Sequence, residues 1–181
     1  MKITKILLLG LLCSSGLSMS HEVMEFSDYV DHEGNIGFPS DFINSMTHIG
    51  SWFVPEGGAS GFHGVYTEKE STEAFKKTGK FPDGATLVKE LRGSDVGDYT
   101  TGKGVKFSTN GIKQWFVMIK DSKNRFKDNS AWGDEWGWAL FKPDDKNVNL
   151  VKNYKSDCLG CHIPAKDKDW VYTEAYPLLN K

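Results

Sequence analysis

The residues whose types and spacing are best suited to chemistry lie together near the C-terminal end of the sequence. Cys158, Cys161 and His162 occur in the run Cys-Leu-Gly-Cys-His. Two thiols at this spacing can form thioethers with the two vinyl groups of haem, while the adjoining imidazole coordinates the iron. The motif occurs once, so it predicts one covalent haem c with Cys158 and Cys161 as attachment points and His162 as the iron ligand.

Three other interpretations of this motif are a disulfide, a redox dithiol and half of a zinc site. A tetrahedral zinc site needs a second ligand pair, but after residues 1–20 the sequence has no further cysteine and no closely spaced histidine pair. A thioredoxin-type dithiol opens a helix early in an α/β unit, whereas this motif lies near the end of the sequence. These features favour haem attachment.

Residues 1–20 have the features of a secretory signal peptide. Two lysines precede an apolar run at residues 6–12, and residues 18–20 supply the small-x-small pattern that a signal peptidase reads. The apolar run is too short to span a bilayer, so no membrane anchor is expected. We therefore expect residues 21–181 to be exported to the periplasm, which fits a haem that is attached outside the cytoplasm.

The composition excludes several functional classes. The sequence has 181 residues, of which 39% are hydrophobic, and this is enough to bury the core of one domain rather than remain disordered. Lys and Arg together number 22 against 24 Asp and Glu, which disfavours nucleic acid as a partner. The aromatic content of 13% suggests a bulky core or a flat apolar ligand surrounded by rings.

Short β-rich segments separated by turns predict an α+β fold that is mainly an antiparallel β-sheet with a few short helices. No repeat or linker divides the sequence, so residues 21–181 are expected to form a single domain. Residues 93–106, rich in glycine, aspartate and threonine, are expected to form a long surface loop. Strands are predicted at residues 63–66, 85–92, 112–119 and 136–141, and helices at residues 39–46 and 67–78.

The type of haem protein depends on the sixth ligand of the iron. An electron-transfer cytochrome would supply a methionine or a second histidine there. Such cytochromes are usually helical with an N-terminal haem motif, and this sequence reverses both features. The electron carrier nevertheless stays open as an alternative. The formally available ligands are Met24, Met46, Met118, His21, His32, His48 and His63, and none has a distinctive spacing.

Four blocks of sequence, spread over nearly the whole of residues 21–181, suggest a known family. They are Phe75-Lys76-Lys77-Thr78-Gly79-Lys80-Phe81, Asp83-Gly84-Ala85-Thr86-Leu87-Val88-Lys89-Glu90-Leu91, Ile119-Lys120-Asp121-Ser122-Lys123, and the haem motif with its tail Asp169-Trp170-Val171-Tyr172-Thr173-Glu174-Ala175-Tyr176-Pro177. In order and spacing they resemble the cytochrome P-460 family, which includes the cytochromes c′-β. The resemblance implies a β-rich homodimer with one five-coordinate haem c per subunit, His162 as the proximal ligand, and an open opposite face.

Two positions bear on the branch of this family. In cytochrome P-460 proper a lysine is bonded to a haem meso carbon, and Lys89 matches that position. The hydroxylamine-oxidising members carry a distal carboxylate where this sequence has Phe116, and a phenyl ring cannot accept a proton. An apolar aromatic pocket is instead what the cytochromes c′-β present. The resemblance also implies that Phe53, Phe62 and His63 line the same distal pocket.

The resemblance therefore implies a periplasmic monohaem cytochrome that binds nitric oxide or related small nitrogenous ligands. One alternative is an enzyme that oxidises hydroxylamine or nitric oxide with the help of a bond between Lys89 and the haem. The second alternative is the electron-transfer cytochrome. A redox partner protein is compatible with all three.

Overall fold

The computed structural model describes residues 26–180, which form one six-stranded antiparallel sheet with a few short helices. This confirms the predicted α+β class. The predicted signal peptide at residues 1–20 lies outside the described residues, as do His21 and Met24. The strands are β1 (Thr47–Val54), β2 (Gly61–Thr67), β3 (Thr86–Tyr99), β4 (Gly102–Lys120), β5 (Trp132–Gly133) and β6 (Trp136–Phe141), in the spatial order β1, β2, β3, β4, β6, β5.

The helices are short and lie outside the sheet. Helix α1 spans Phe42–Ser45 and α2 spans Lys69–Thr78, while α3 (Gly160–His162) belongs to a run of helical turns near the C-terminus. No helix within residues 26–180 is long and apolar enough to cross a membrane.

The two faces of the sheet differ because neighbouring residues of a strand point to opposite sides. In β2, His63 and Val65 point to one face, which we call the cavity face. Phe62 and Tyr66 point to the other, which we call the core face. The alternation of side chains along each strand therefore decides which residues can reach a site on the cavity face.

The core face is covered by an aromatic cluster that anchors the sheet. The ring centre of Phe38 lies 4.8 Å from that of Trp115 and 5.4 Å from that of Phe141. Phe42 of α1 packs edge-on against Tyr66, with 5.0 Å between ring centres. Burying such side chains stabilises the fold by roughly 1.5–3 kcal/mol each.

The predicted helix at residues 67–78 is confirmed as α2. The side chain of Glu68, just before the helix, accepts hydrogen bonds from the Thr86 backbone N–H at 3.0 and 3.1 Å, which ties the helix start to β3. The helix ends at Gly79, whose φ of 75° is left-handed and favours glycine. Its buried Phe75 packs against Phe81, with ring centres 4.7 Å apart.

The expectation of a long surface loop at residues 93–106 is wrong. This segment is the outer part of a β-hairpin in which Tyr99 of β3 pairs with Gly102 of β4. Val96, Tyr99 and Val105 are the hydrophobic residues of this segment, and Tyr99 packs edge-on against Phe107 with 5.8 Å between ring centres. The glycines do not open a loop, because three irregularities in the register accommodate the extra residues within the paired strands.

Candidate functional site

A cavity of about 230 Å³ lies between the cavity face of the sheet and the C-terminal segment that carries the cysteine motif. Its walls are mainly apolar and aromatic, as in most small-molecule sites. The sheet contributes Trp52, His63, Val65, Leu87, Lys89, Leu91, Phe116, Met118 and Trp138, and the C-terminal segment contributes Cys158, Cys161, His162, Val171, Tyr172 and Tyr176.

The C-terminal segment can lie close over the sheet because Gly50 of β1 has no side chain to block it. At Gly50 of β1, an added Cβ atom would lie 1.9 Å from the carbonyl oxygen of Ala175. Only glycine permits this approach of two backbones. Nearby, the ring of Tyr176 lies 6.1 Å from that of Trp52, which closes one end of the cavity.

Cys158 and Cys161 are free thiols on consecutive helical turns, Lys155–Leu159 and Gly160–His162. At three residues apart in a helical backbone, both side chains come to the same side, and both line the cavity. Burial raises the pKa of Cys158 to about 12, with smaller effects from Asp157 and Cys161, so its thiol is protonated at neutral pH. Neither cysteine is in a disulfide within the described residues, so both sulfurs are available for haem attachment.

The ring of His162 is oriented by one hydrogen bond. Its Nδ1 lies 2.8 Å from the carbonyl oxygen of Trp170. A carbonyl only accepts, so Nδ1 carries the hydrogen and Nε2 keeps a lone pair for a metal. Burial lowers the pKa of His162, which further favours this neutral form. The ring also packs edge-on against Trp138, with 4.8 Å between centres.

Lys89 points into the cavity and is only partly exposed to solvent. Its Nζ lies 4.0 Å from the ring centre of Phe116 and 5.9 Å from that of Trp52. Burial lowers the pKa of Lys89 to about 8, while Cys161 and Cys158 act in the opposite direction. The amine is thus mostly charged at neutral pH but loses its proton within a range that an ordinary lysine does not reach.

His63 also lines the cavity, in a fixed orientation. Its ring stacks on Trp52 with 4.8 Å between centres, and its Nε2 lies 2.8 Å from the carbonyl oxygen of Ala59. Nε2 therefore carries the hydrogen, and Nδ1 is a buried acceptor without a hydrogen-bond partner among the described residues. Burial lowers the pKa of His63, so the ring is neutral.

The placement of Phe53 and Phe62 in the distal pocket needs correction. These residues pair directly across β1 and β2, with ring centres 4.8 Å apart. Their neighbours Trp52 and His63 line the cavity, so Phe53 and Phe62 project to the opposite side of the sheet. There, Lys106 of the hairpin lies 4.6 Å from the ring centre of Phe53.

Several residues of the site carry no clear signal in the sequence. Trp170 acts through its backbone carbonyl, which no side-chain pattern can reveal. Trp52 lies in β1, a strand that sequence analysis did not predict. Trp138 lies in a predicted strand, and the alternation of that strand would have placed it on one face with Trp136 but could not say which face.

Of the candidate sixth ligands within residues 26–180, two line the cavity. Met118 is buried on β4, and His63 has its Nε2 engaged by Ala59. His32 is exposed on the surface, and Met46 and His48 are not among the lining residues.

Comparison with known proteins bears on the cofactor. A family model described as Cytochrome P460 matches residues 39–173, more than half of the chain, and implies a haem cofactor. No curated protein matches the chain. The residues fit such a group, because two free thiols, an imidazole with an available Nε2 and a largely apolar wall meet in one cavity.

Proposed function

We propose that this chain, which belongs to the cytochrome P460 family, is a periplasmic monohaem c-type cytochrome that binds nitric oxide or related small nitrogenous ligands. The observation that carries the proposal is the common cavity of the Cys158, Cys161 and His162 motif and the aromatic side chains of the sheet. Its largely apolar wall suits a neutral diatomic ligand, and it disfavours a second cation beside the charged Lys89, because burying an unpaired charge is unfavourable.

The attachment residues have distinct tasks in this proposal. Cys158 and Cys161 would hold the haem through thioethers, and Nε2 of His162 would coordinate the iron while the Trp170 carbonyl fixes the ring. When bound, the haem supplies an iron atom with one coordination position for a small ligand. The rings of Phe116 and Trp52 lie beside Lys89 and restrict the space around its ammonium group.

The absence of a distal carboxylate supports gas binding over proton-coupled oxidation. Among the described residues that line the cavity, Asp157 is the one carboxylate, and it is exposed at the rim. Its Oδ2 accepts hydrogen bonds from the backbone N–H groups of Lys152 and Asn153 at 2.8 and 3.0 Å. It is therefore already engaged by the residues just before the helical segment that carries the motif.

The test begins with protein matured in the periplasm. Intact mass under denaturing conditions should show chain plus one haem for the wild type, and chain alone for the double variant Cys158→Ala/Cys161→Ala. The wild-type ferrous protein should then bind nitric oxide and carbon monoxide. A chain without covalent haem would contradict the attachment, and a haem protein that binds neither gas would contradict the ligand class.

Hydroxylamine oxidation is the alternative, and two observations favour it. Lys89 faces the cavity with a pKa lowered to about 8, as a bond to the haem edge requires. Nδ1 of His63 is a buried acceptor that can take the place of the missing carboxylate. Steady turnover of hydroxylamine with an artificial electron acceptor, lost in Lys89→Ala and reduced in His63→Leu, would establish this alternative.

An electron carrier is the remaining alternative, and Met118 is the observation in its favour. Its side chain is buried in the cavity wall and carries a thioether that can coordinate iron. A low-spin spectrum that becomes high-spin in Met118→Leu would establish it. Our proposal predicts a high-spin spectrum in both proteins.

Homodimer formation is part of the proposal and has some support in the hairpin of β3 and β4. Val96, Tyr99 and Phe107 are apolar and exposed there. Exposed apolar side chains on an extended hairpin are suited to burial against a second copy. Light scattering after size exclusion should give twice the subunit mass for the wild type and the subunit mass for Val96→Lys/Phe107→Lys.

A further inference from the structure

A buried ion pair joins the end of β4 to the segment that follows the haem motif. Nζ of Lys120 lies 2.5 Å from Oδ1 of Asp169, and their side chains are 2% and 4% exposed. The other oxygen of Asp169 accepts a hydrogen bond from the Phe81 backbone N–H at 2.9 Å. Lys120 also contacts Glu135 at 2.9 Å. The Asp169 carboxylate is thus held on both oxygens by the body of the protein.

The backbone at this point is in a conformation that needs such support. Asp169 and Trp170 have φ values of 59° and 66°, two consecutive left-handed residues, neither of which is glycine. A left-handed conformation is unfavourable for a non-glycine residue and persists where the surroundings hold it. The Trp170 N–H donates to the Ala165 carbonyl at 3.0 Å, so the turn folds back onto the helical segment of the motif.

This turn determines the direction of the Trp170 carbonyl, which accepts the hydrogen bond from Nδ1 of His162 at 2.8 Å. The ion pair lies one residue before that carbonyl in the sequence. A displacement of Asp169 would therefore rotate the peptide group that orients the imidazole. In metal sites, such a partner on the far nitrogen fixes the ring and raises the basicity of the ligating nitrogen.

We propose that Lys120 is a positioning residue for His162, acting through Asp169 and the carbonyl of Trp170. This inference rests on the proposed function, because it takes His162 as the iron ligand. The intact ion pair keeps the hydrogen bond to Nδ1 short, and a more basic imidazole stabilises the ferric state over the ferrous state. Lys120 thereby lowers the reduction potential without touching the haem.

The experiment measures the iron–histidine stretching band of the ferrous protein by resonance Raman spectroscopy, together with the reduction potential. Lys120→Met should move the band to lower wavenumber and the potential to a more positive value. Because this variant leaves Asp169 buried and unpaired, Lys120→Met/Asp169→Asn serves as a second form without a buried charge. Asparagine tolerates the left-handed conformation, so the double variant is expected to fold and show the same direction of change.

A matched control separates positioning from general stability. Arg92 and Glu90 form an ion pair at 2.9 Å, with Glu90 buried, and have no contact with the turn at Asp169. Arg92→Met should lower the melting temperature and leave the iron–histidine stretching band and the reduction potential unchanged. A folded, haem-loaded Lys120 variant with the wild-type band and potential would overturn the inference alone. A wild-type protein without the band, or a His162→Gly variant that keeps it, would instead overturn the proposed ligation.

Discussion

The ammonium group of Lys89 lies 4.0 Å from the ring centre of Phe116, its direct partner across β3 and β4. The strand register places both side chains on the cavity face, and a cation at this distance from an aromatic ring gains about 0.5–2 kcal/mol. At residue 116, where a carboxylate could form an ion pair with Lys89, this protein has the phenyl ring of Phe116. The ring stabilises the charged ammonium group but cannot accept a proton.

Lys89 is expected to reduce the stability of the protein at neutral pH. Its folded pKa is lowered to about 8, and an unfolded lysine titrates near 10.4. The unfolded chain binds the extra proton between these values, so the stability contributed by this residue rises with pH there and is constant below about 8. Lys89→Met should be more stable by roughly 1–3 kcal/mol at pH 7, and this gain should vanish near pH 10.4.

Denaturant unfolding of both proteins across this pH range measures the difference. Lys103→Met removes an exposed lysine, and its free energy of unfolding should equal that of the wild type at every pH. A constant difference between Lys89→Met and wild type from neutral to alkaline pH would show that the amine is not desolvated.

Substitution of Phe116 by glutamate should introduce the missing acid. In Phe116→Glu the new carboxylate lies beside Lys89 and within the cavity, and hydroxylamine oxidation with an artificial electron acceptor should increase at least tenfold, the gain of a modest general base. In Phe116→Gln the glutamine side chain has the shape of glutamate but is not a base. This variant should therefore oxidise hydroxylamine at the wild-type rate. Equal rates for the two variants would place residue 116 away from the reacting ligand.

The corrected positions of the phenylalanines predict different effects on gas binding. Phe116→Ala should speed the association of carbon monoxide with the ferrous protein, because it removes a ring from the cavity wall. Phe53→Ala and Phe62→Ala lie on the other side of the sheet and should leave the association rate unchanged. Stopped-flow mixing compares the three, and a larger effect of Phe53 or Phe62 than of Phe116 would contradict the assignment of the faces.

Gly50→Ala should weaken the contact between β1 and the C-terminal segment. An added methyl group would lie 1.9 Å from the Ala175 carbonyl oxygen, and neither backbone can yield without disrupting its neighbours. A loss of about 1–3 kcal/mol is expected, as for overpacking elsewhere. Gly58→Ala meets no atom within 4 Å and is the matched control. Equal melting temperatures for the two variants would show that the contact is looser than described.

Much of the fold followed from local patterns. The helix ending at Gly79 and the strand at residues 136–141 have strong signals, because each combines a suitable periodicity with a clear stop residue. Strand β1 was missed, since Gly50 and a register shift between His48 and Gly50 break the alternation that identifies a strand. The hairpin at residues 93–106 was missed for a related reason. Its glycines, aspartates and threonines are typical of a loop, and its irregular strand pairing leaves no regular alternation in the sequence.

The site was only partly predictable from the sequence. The motif at Cys158, Cys161 and His162 identifies itself by its spacing, and Lys89 and Phe116 came from the resemblance. The faces of Phe53 and Phe62 could not be inferred, because a shift of one residue reverses the side to which a strand residue points. The pair of Lys120 and Asp169 joins residues 49 positions apart, and only the folded structure brings them together.

The most direct test of the account is the absorption spectrum of the ferrous protein, matured in the periplasm, before and after addition of nitric oxide. We predict the spectrum of a high-spin haem c that changes on binding the gas, with the intact mass of chain plus one unmodified haem. A strongly red-shifted Soret band, with a mass lower by two hydrogens, would show that Lys89 is bonded to the haem and favour nitrogen oxidation. A low-spin spectrum that nitric oxide does not change would contradict the open coordination position on which the proposal depends.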